Sequence, residues 1–386
     1  MPGLVIKPRS RIFHGHDWVY ASEVVKAFGD PQPGEVITLK DFRDRPLGCA
    51  IFNPASQIVA RRISRRRQKL DVDFFRRRIA QALELRERNG IDTRLCRLVW
   101  SESDGLPGLI VDRYGEHLVV QLLTLAFHSR SELIREALVD VFSPATIILR
   151  NDAPVLKAEG LEPEITLLHG ENPGPFQVTA NQLQFEVDLL DGQKTGLYLD
   201  QLGNHAELAA MSAGKRVLDC FTNQGGFALA CAKAGAAKVT AVDISDSACQ
   251  ATTRNAALNN LDVEVICENV FDFLKRATPE YDLIILDPPS FTRSKKSVGG
   301  ALRGYKEIHL RSLKLLEKGG LLSSYCCSHH VDRELFRQNM VEAAVDAKKT
   351  LRLVADHRQR SDHPVILSLP ETEYLKGITV ELAAGR

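Results

Sequence analysis

Short apolar runs separated by turn-forming residues dominate the first 70 positions of the chain. Three runs of seven or eight residues are rich in apolar and β-branched side chains; PQPG precedes the first run, and NPAS lies where the second gives way to the third. Runs of this length between turn signals predict β-strands. The predicted strands are EVITLKD (35–41), PLGCAIFN (46–53) and QIVARRI (57–63). We therefore predict a small β-rich unit over residues 1–70.

Helical periodicity begins at residue 72. Apolar residues recur at helical spacing along VDFFRRRIAQALELRERNG (72–90), and Gly90 provides a stop, which predicts an amphipathic helix. SRSELIREALVDVF (129–142) also predicts a helix, and nearby apolar runs such as CRLVW, GLIVDRYGEHLVVQLLT and TIILRND predict strands. We expect residues 71–178 to form an α+β connecting domain.

From about residue 215 the pattern becomes a regular alternation of short apolar strands and helical stretches. The five predicted strands are RVLDCF (216–221), KVTAVD (238–243), VEVICE (263–268), DLIILDPP (282–289) and GGLLSSYCC (319–327). This alternation predicts an α/β fold with a parallel sheet covered by helices on both faces. Because ligands of such sheets bind at the carboxyl ends of the strands, chemistry is expected just after these runs.

Composition and charge narrow the class of protein. The chain of 386 residues is 44% hydrophobic and 26% charged, which is typical of a globular protein with two or three domains. It has no apolar run of about 18 residues, and its N-terminus lacks the apolar core of a signal peptide. We therefore expect a cytoplasmic protein. The eight cysteines are too sparse for a disulfide scaffold.

Positive charge is concentrated near the N-terminus. Residues 1–80 carry sixteen lysines and arginines against eight acidic residues, although the net charge of the whole chain is only +1. A solvated surface would explain one basic run, but several runs around a predicted strand favour contact with a polyanion. The candidate RNA-binding residues in this segment are Arg61, Arg62, Arg65 and Arg66.

The first two strand ends could hold a nucleoside-containing ligand. Gly225 and Gly226 would let the backbone approach a ligand where the next helix begins, although packing of that helix on the strand would explain them equally well. Asp243 stands where a carboxylate can accept hydrogen bonds from two ribose hydroxyls. The alternative role for Asp243 is a helix N-cap, for which Ser245 is also available.

The next two strand ends continue this pattern. Glu268, Asn269 and Val270 follow the third strand, where the edge of an adenine could be read. Asp287 follows the fourth strand and is succeeded by two prolines, which would fix its carboxylate at the mouth of the sheet. A plain turn is the alternative explanation of this Asp-Pro-Pro sequence.

Together, these strand ends resemble those of the class I S-adenosylmethionine-dependent methyltransferases. GQKTGLYLDQ (192–201), SDHPV (361–365) and YLKG (374–377) are similar to the RNA cytosine-C5 methyltransferases of the large ribosomal subunit. That family carries an N-terminal PUA domain, an RNA-binding β-barrel, which GHDWVY (15–20), PGEVITLKD (33–41) and LGCAIFNPASQIVARRIS (47–64) resemble. The resemblance implies a PUA-like domain over 1–70 and a Rossmann-like methyltransferase domain over 179–386.

The resemblance also implies a cofactor, a product and a set of site residues. S-adenosylmethionine is the implied cofactor, and 5-methylcytosine in 23S ribosomal RNA is the implied product. The implied cofactor-binding residues are Lys194, Thr195, Tyr198, Gln201, Asp219, Phe221, Asn223, Gly225, Gly226, Asp243, Ile244, Asn269, Val270 and Asp287. The sequence departs from the family at two positions. Leu202 stands where the family usually has arginine, and His205 stands where it often has a second one.

Cys327 is the implied nucleophile. Carbon 5 of cytosine is a poor nucleophile, and a thiolate added to carbon 6 activates it. The related enzymes place that thiolate in a Cys-Ser pair after the fifth strand, which maps to Cys327, and Asp287 would hydrogen-bond the base. Strand alternation turns Cys326 toward the opposite face, where we expect core packing. His329, His330 or the loop RSKKS (293–297) could favour the thiolate.

Several alternatives stay open. A zinc site in CCSHH is disfavoured because consecutive strand residues point to opposite faces, and we predict no metal. Loop 290–304 either contacts RNA through Arg293, Lys295 and Lys296 or is a plain surface loop. RNA is the expected partner, and no pattern excludes a homodimer. The other functions left open are methylation of an amino or ring nitrogen, for which DPPS suffices without a cysteine, and a non-catalytic role in RNA binding or ribosome assembly.

Overall fold

The structure is a computed structural model and describes residues 1–190, 196–292 and 294–383. The described residues separate into two units. Unit 1 contains those within 1–176, 187–196 and 361–372, and unit 2 contains those within 177–186, 197–360 and 373–386. No helix in these described ranges is long and apolar enough to cross a membrane.

Unit 1 begins with a six-stranded sheet. Its strands are β1 (Gly3–Ile6), β2 (Trp18–Tyr20), β3 (Val24–Phe28), β4 (Val36–Asp41), β5 (Pro46–Phe52) and β6 (Ile58–Ser64), in the order β2-β6-β5-β4-β1-β3. Alternate residues of β4, including Ile37 and Leu39, are buried, which matches the two-residue repeat of a strand with one covered face. The three strands predicted in this region are confirmed to within one residue at each end.

The rest of unit 1 is an α+β arrangement around a five-stranded sheet. Its elements are α1 (Val72–Arg88), β7 (Leu95–Trp100), β8 (Leu109–Tyr114), β9 (His117–Leu122), α2 (Leu125–His128), α3 (Ser131–Phe142), β10 (Thr146–Asn151), α4 (Leu156–Glu159) and β11 (Glu164–Gly170). The sheet order is β11-β10-β9-β8-β7. Helix α1 begins where the Asp71 side chain accepts a hydrogen bond from the Phe74 amide (2.9 Å). It buries Phe74, Phe75 and Ile79 completely.

A hairpin and a seven-stranded sheet follow. The elements are β12 (Phe176–Ala180), β13 (Leu183–Val187), α5 (Leu202–Ala210), β14 (Arg216–Cys220), α6 (Gly226–Lys233), β15 (Lys238–Asp243), α7 (Asp246–Leu258), β16 (Glu264–Cys267), α8 (Val270–Arg276), β17 (Tyr281–Leu286), α9 (Val298–Leu315), β18 (Leu316–Cys326), α10 (Arg333–Asp346), β19 (Leu351–Arg358) and β20 (Lys376–Leu382). All five predicted strands are present, so the predicted α/β fold is confirmed.

The strand order of this sheet determines where a ligand can bind. The order is β16-β15-β14-β17-β18-β20-β19, with parallel pairing from β16 to β18, and β20 is antiparallel to both of its neighbours. From β14 the chain first builds β15 and β16 on one side, and it then crosses to build β17 and β18 on the other side. The direction of the connections therefore reverses at β14. In an open α/β sheet, a binding crevice forms beyond the carboxyl ends of the strands at such a point.

Candidate active site

The loop after β14 is held in an unusual backbone conformation. Phe221 and Asn223 have positive φ angles of 64° and 52°, and Gly225 has a φ of 86°. The Phe221 amide donates to the Val242 carbonyl (2.8 Å), and the Asn223 carbonyl accepts from Thr252 Oγ1 (2.8 Å). These bonds to β15 and α7 hold residues in the left-handed region, which non-glycine residues adopt only when their surroundings fix them there.

The two glycines of this loop make close contacts inside unit 2. A Cβ atom on Gly226 would lie 2.4 Å from His205 Cε1, and one on Gly225 would lie 2.9 Å from Thr252 Cγ2. The His205 ring also contacts Phe227, with 4.4 Å between ring centroids. Packing therefore accounts for both glycines, and their contact with a cofactor stays a prediction.

Asp243 ends β15 and holds its carboxylate at the edge of the sheet. Its Oδ2 accepts from the Asn223 amide (3.0 Å), and its Oδ1 accepts from the Ser245 amide (2.9 Å). The N-cap of α7 is Ser245, not Asp243, because Ser245 accepts from the Ala248 amide. The predicted alternative role of Asp243 as a helix cap is thus taken by Ser245. Ile244 is 65% exposed, which leaves an apolar surface beside the carboxylate.

Two residues predicted to read an adenine also have structural roles. The Asn269 side chain accepts a hydrogen bond from the Phe271 amide (2.9 Å) and caps α8. The Val270 side chain is buried in the core. Since a buried side chain cannot contact a ligand, the prediction for Val270 can apply only to its backbone.

Asp219 lies beneath the loop and is buried. Its Oδ2 accepts from Thr222 Oγ1 (2.6 Å) and from the Ala228 amide (3.0 Å), so it supports both the loop and the start of α6. Among the described residues, no donor lies within hydrogen-bonding distance of Asp219 Oδ1. Burial raises the pKa of this carboxyl to about 7.

These features fit a ligand such as S-adenosylmethionine. The fit rests on a carboxylate at the end of β15 for ribose hydroxyls and an exposed apolar side chain next to it. S-adenosylmethionine carries ribose hydroxyls and a flat aromatic base, which match these two features. Lys194 and Thr195, also predicted to bind it, lie outside the described residues.

Asp287 is joined to the segment that precedes α5. Gln201 Nε2 donates to Asp287 Oδ2 (2.9 Å), and Gln201 Oε1 accepts from Asn204 Nδ2 (2.6 Å). Gln201 and Asn204 are both buried, whereas Tyr198 is half-buried. The Asp287 amide donates to the Cys220 carbonyl (3.4 Å), which keeps the end of β17 beside the end of β14.

The two adjacent cysteines lie on opposite sides of the unit 2 sheet. Cys326 is fully buried in a core cluster with Leu218, Leu286 and Leu322. Cys327 is half-buried and packs at the edge of the other cluster, which includes Tyr325. The predicted core packing of Cys326 is confirmed, and the nucleophilic role of Cys327 stays a prediction.

The turn after Cys327 is tied to the Asp-Pro-Pro-Ser loop and to β20. Ser328 Oγ and Ser290 Oγ share a hydrogen bond (2.7 Å). Lys376 Nζ donates to the carbonyls of Ser328 and Val331, at 2.6 Å each. Sequence reasoning did not single out Ser290, Ser328 or Lys376, and its only signal for Lys376 was the family-like YLKG. Within the described ranges, no three His, Cys, Asp or Glu side chains are grouped as metal ligands.

The predicted RNA-binding segment differs from a uniformly exposed basic run. Arg61 forms an ion pair with Glu102 (2.6 Å) and Arg62 forms one with Asp17 (2.7 Å), and their side chains are only 11% and 8% exposed. Both arginines are therefore already paired with carboxylates within unit 1, and their contact with RNA stays a prediction. Arg65, Arg66 and Lys296 are exposed. Arg293 and the side chain of Lys295 lie outside the part of the chain that the structure describes.

A cleft of about 520 Å³ opens beside this segment within unit 1. Its lining includes four arginines, which are Arg62, Arg65, Arg78 and Arg88. Arg78 donates to the Ile63 carbonyl (3.3 Å), and burial lowers the pKa of its guanidinium, with a further contribution from Arg77. Sequence reasoning missed Arg88, because a charged residue near the end of a helix usually lies on its solvated face.

Comparison with known proteins identifies relatives along almost the whole chain. A profile of S-adenosylmethionine-dependent methyltransferases matches residues 160–366, and a PUA-like domain profile matches residues 7–65. Proteins named ribosomal RNA large subunit methyltransferase I are similar throughout. The one from Erwinia tasmaniensis is 38% identical, with 94% of each chain covered. The one from Vibrio cholerae is 36% identical, with 95% of each chain covered.

Solved structures with the same fold cover the whole length as well. A candidate S-adenosylmethionine-dependent methyltransferase from Streptococcus mutans has a TM-score of 0.84 at 22% identity and covers 99% of this chain and 100% of its own. A candidate methyltransferase solved with S-adenosylhomocysteine has a TM-score of 0.86 at 23% identity, with the same coverage. At these identities the likeness shows the fold.

Replacing Asp243 with asparagine should weaken the binding of S-adenosylhomocysteine by about tenfold to a hundredfold. Hydrogen bonds to a charged acceptor contribute roughly 1.5–3 kcal/mol each, and the substitution removes the charge. Isothermal titration calorimetry on the full chain measures the affinity. Asp246→Asn changes an exposed acid in the first turn of α7 and should bind like wild type. Equal affinity in Asp243→Asn and wild type would remove Asp243 from the cofactor site.

The free energy of unfolding should depend on pH through Asp219. Its pKa is about 7 in the folded chain against an ordinary value of 3.8, so the folded chain binds a proton that the unfolded chain has already lost. The stabilisation from this group is complete below about pH 4 and is lost as the pH rises through 7. Between pH 5 and 7, the free energy of unfolding of wild type, measured with urea, should fall by up to about 1 kcal/mol per pH unit relative to that of Asp219→Asn. A constant difference between the two proteins would contradict this assignment.

Proposed function

The chain belongs to the family of S-adenosylmethionine-dependent methyltransferases that includes the ribosomal RNA large subunit methyltransferases I, and we propose that it forms 5-methylcytosine in 23S ribosomal RNA. It is an S-adenosylmethionine-dependent enzyme with an N-terminal PUA-like domain. The observation that carries the proposed chemistry is a half-buried Cys327 directly after β18, in a turn bonded to the loop that follows Asp287.

Cys327 is proposed to act first, as a thiolate. A bond forms between its sulfur and carbon 6 of the cytosine, the electrons of the C5–C6 double bond make carbon 5 nucleophilic, and N3 takes up a proton. When bound, S-adenosylmethionine supplies the methyl group that carbon 5 takes, carried on a positively charged sulfur. A base then removes the carbon-5 proton, and the bond between carbon 6 and sulfur breaks to release the thiolate.

Asp287 is proposed to orient the base. A carboxylate that accepts a hydrogen bond from the Watson–Crick edge favours the protonated form of N3 and so assists attack at carbon 6. The hydrogen bond from Gln201 fixes one oxygen of this carboxylate (2.9 Å), and Gln201 is itself held by Asn204. This chain of contacts limits the rotation of Asp287, which supports a positioning function at the site.

RNA contact is proposed for the cleft of unit 1. Arg65 and Arg88 line it and are exposed, so both guanidinium groups can pair with phosphates, as arginine commonly does. Arg62 and Arg78 line the same cleft but already donate to Asp17 and to the Ile63 carbonyl. Arg65 and Arg88 are therefore the arginines of the cleft that we expect to bind phosphate directly.

RNA in which the target base is paired would have to turn that base out to reach Cys327.

Trapping with 5-fluorocytosine should reveal the thiolate. Fluorine at carbon 5 blocks the final elimination, so wild type with S-adenosylmethionine and substituted ribosomal RNA should give a covalent adduct that survives denaturation. Gel electrophoresis detects it. Cys326→Ala is the matched control and should retain the adduct if it folds, whereas Cys327→Ala should lose it. Methyl transfer to ordinary RNA without any adduct would overturn the thiolate mechanism and favour methylation of a nitrogen.

The double variant Arg65→Ala/Arg88→Ala should bind ribosomal RNA less tightly and with a weaker salt dependence. Removing one arginine–phosphate pair reduces the steepness of log K against log salt by roughly 0.7 for single strands. Filter binding between low and moderate salt measures both quantities. Arg94→Ala changes an exposed arginine of unit 1 that is not among the residues lining the cleft and serves as the control. Equal slopes in the double variant and wild type would exclude the cleft as a phosphate site.

A further inference from the structure

Lys376 is a buried lysine next to the two cysteines. It begins β20, is only 5% exposed, and pairs with Cys326 between β18 and β20, so its side chain starts on the Cys326 face of the sheet and reaches the turn that follows Cys327. Its ammonium donates to the carbonyls of Ser328 and Val331, at 2.6 Å each. Among the described residues, no carboxylate lies within ion-pair distance of Lys376 Nζ. A buried cation of this kind is costly unless an anion or several acceptors compensate for its lost hydration.

We propose that Lys376 is a positioning residue for Cys327, which holds the backbone turn after the nucleophile and supplies the positive charge that favours its thiolate. This inference rests on the proposed function, because only a thiolate mechanism needs such a charge. The geometry supports the hold on the turn directly, and it brings the ammonium to the carbonyl of the residue after Cys327. Two hydrogen bonds fix the carbonyls of residues 328 and 331, and the Ser328 side chain is bonded to Ser290 on its other side.

Among the residues that the structure describes, the other titratable groups around this strand end do not replace the charge of Lys376. Tyr305 on α9 is buried, and burial raises the pKa of its phenol far above the ordinary value, so it stays neutral. Arg333 on α10 and Glu373 before β20 pair with each other (3.1 Å), so their charges largely cancel. His329, His330 and Lys296, on or beside the predicted loops, are exposed, where solvent and salt screen their charge. Asp287 is acidic and would disfavour a thiolate.

Burial and the neighbouring thiols act on the charge of Lys376 in opposite directions. Burial lowers the pKa of Lys376, while nearby Cys326 and Cys327 act in the opposite direction. Its ordinary pKa is 10.5, far above neutrality, and two carbonyl acceptors stabilise the protonated form. By reciprocity, an ammonium that a thiolate stabilises also stabilises the thiolate, and an opposite charge a few ångströms away lowers the pKa of an acid by about 1–3 units.

The test is the pH dependence of alkylation at Cys327 in the full chain. Iodoacetamide reacts with the thiolate, so the rate against pH gives the midpoint for each cysteine, and tandem mass spectrometry separates Cys327 from Cys326. Exposed Cys267 is the internal control. We expect a wild-type midpoint for Cys327 at least about 1 unit below the ordinary thiol value of about 8.5. A wild-type midpoint at or above that value overturns the proposal without the need for any variant.

Substitution then assigns the shift to Lys376. Lys376→Met should raise the Cys327 midpoint by about 1 unit or more, whereas Lys376→Arg, which keeps the charge, should leave it within a few tenths. Lys296→Met changes an exposed lysine of the basic loop and should leave the midpoint unchanged, as should all three variants for Cys267. An unchanged Cys327 midpoint in a folded Lys376→Met protein, checked by S-adenosylhomocysteine binding, overturns the proposal.

The two proposals can fail separately. A fluorocytosine adduct in wild type together with an unshifted midpoint in Lys376→Met would reject the role of Lys376 and leave the thiolate mechanism intact. A shifted midpoint without any adduct would reject cytosine-C5 methylation, and Lys376 would then have no mechanistic role even though its electrostatic effect on Cys327 is real.

Discussion

The parallel pairing of β14, β17 and β18 is the constraint on which the rest of the site depends. Cys220 pairs with Leu286, and Leu286 pairs with Ser324, so the three strands reach the same edge of the sheet within a few residues. The strand pairing therefore already places the loop with Asn223, the Asp287 turn and the Cys327 turn side by side, before the hydrogen bonds between them are considered. Because side chains alternate along a strand, a slip of one residue in β18 would exchange the faces of Cys326 and Cys327. Each cysteine would then meet the cluster in which the other one packs.

Side-chain hydrogen bonds then turn neighbouring loops into a fixed arrangement. Gln201 holds Asp287, Ser290 shares a hydrogen bond with Ser328, and Lys376 holds the turn that begins at Ser328. Buried polar groups stabilise a structure only when their partners are present, since an unsatisfied group carries the full cost of its lost hydration. Sequence segments that are far apart, around residues 201, 290, 328 and 376, therefore depend on one another for a single geometry.

Periodicity was enough to predict the scaffold but not the contacts between distant segments. The strand over 238–243 matches its prediction at both ends, and two-residue alternation correctly separated Cys326 from Cys327. Strand β19 was not predicted because most of its residues are exposed or half-buried, so no apolar repeat marks it. Arg61 and Lys376 show the same limit at the level of side chains. Charged residues are usually solvated. Only the fold reveals that Arg61 is buried with Glu102 and that Lys376 is buried with two carbonyl acceptors.

Residue 205, where the resemblance implies arginine, shows how burial changes the charge of ionisable side chains in unit 2. His205 occupies it, and its ring lies against Gly226 and Phe227. Burial lowers the pKa of His205 to about 4 and raises that of Asp219 to about 7, so at pH 7 the same loss of hydration leaves the histidine neutral and about half of the acid protonated. Burial also lowers the pKa of Lys376, which begins from a higher ordinary value of 10.5, and Cys326 and Cys327 oppose that lowering. Among the described side chains at the end of β18, Lys376 is a buried lysine whose two carbonyl acceptors hold its ammonium at the turn that follows Cys327, which is why the proposed charge is assigned to it.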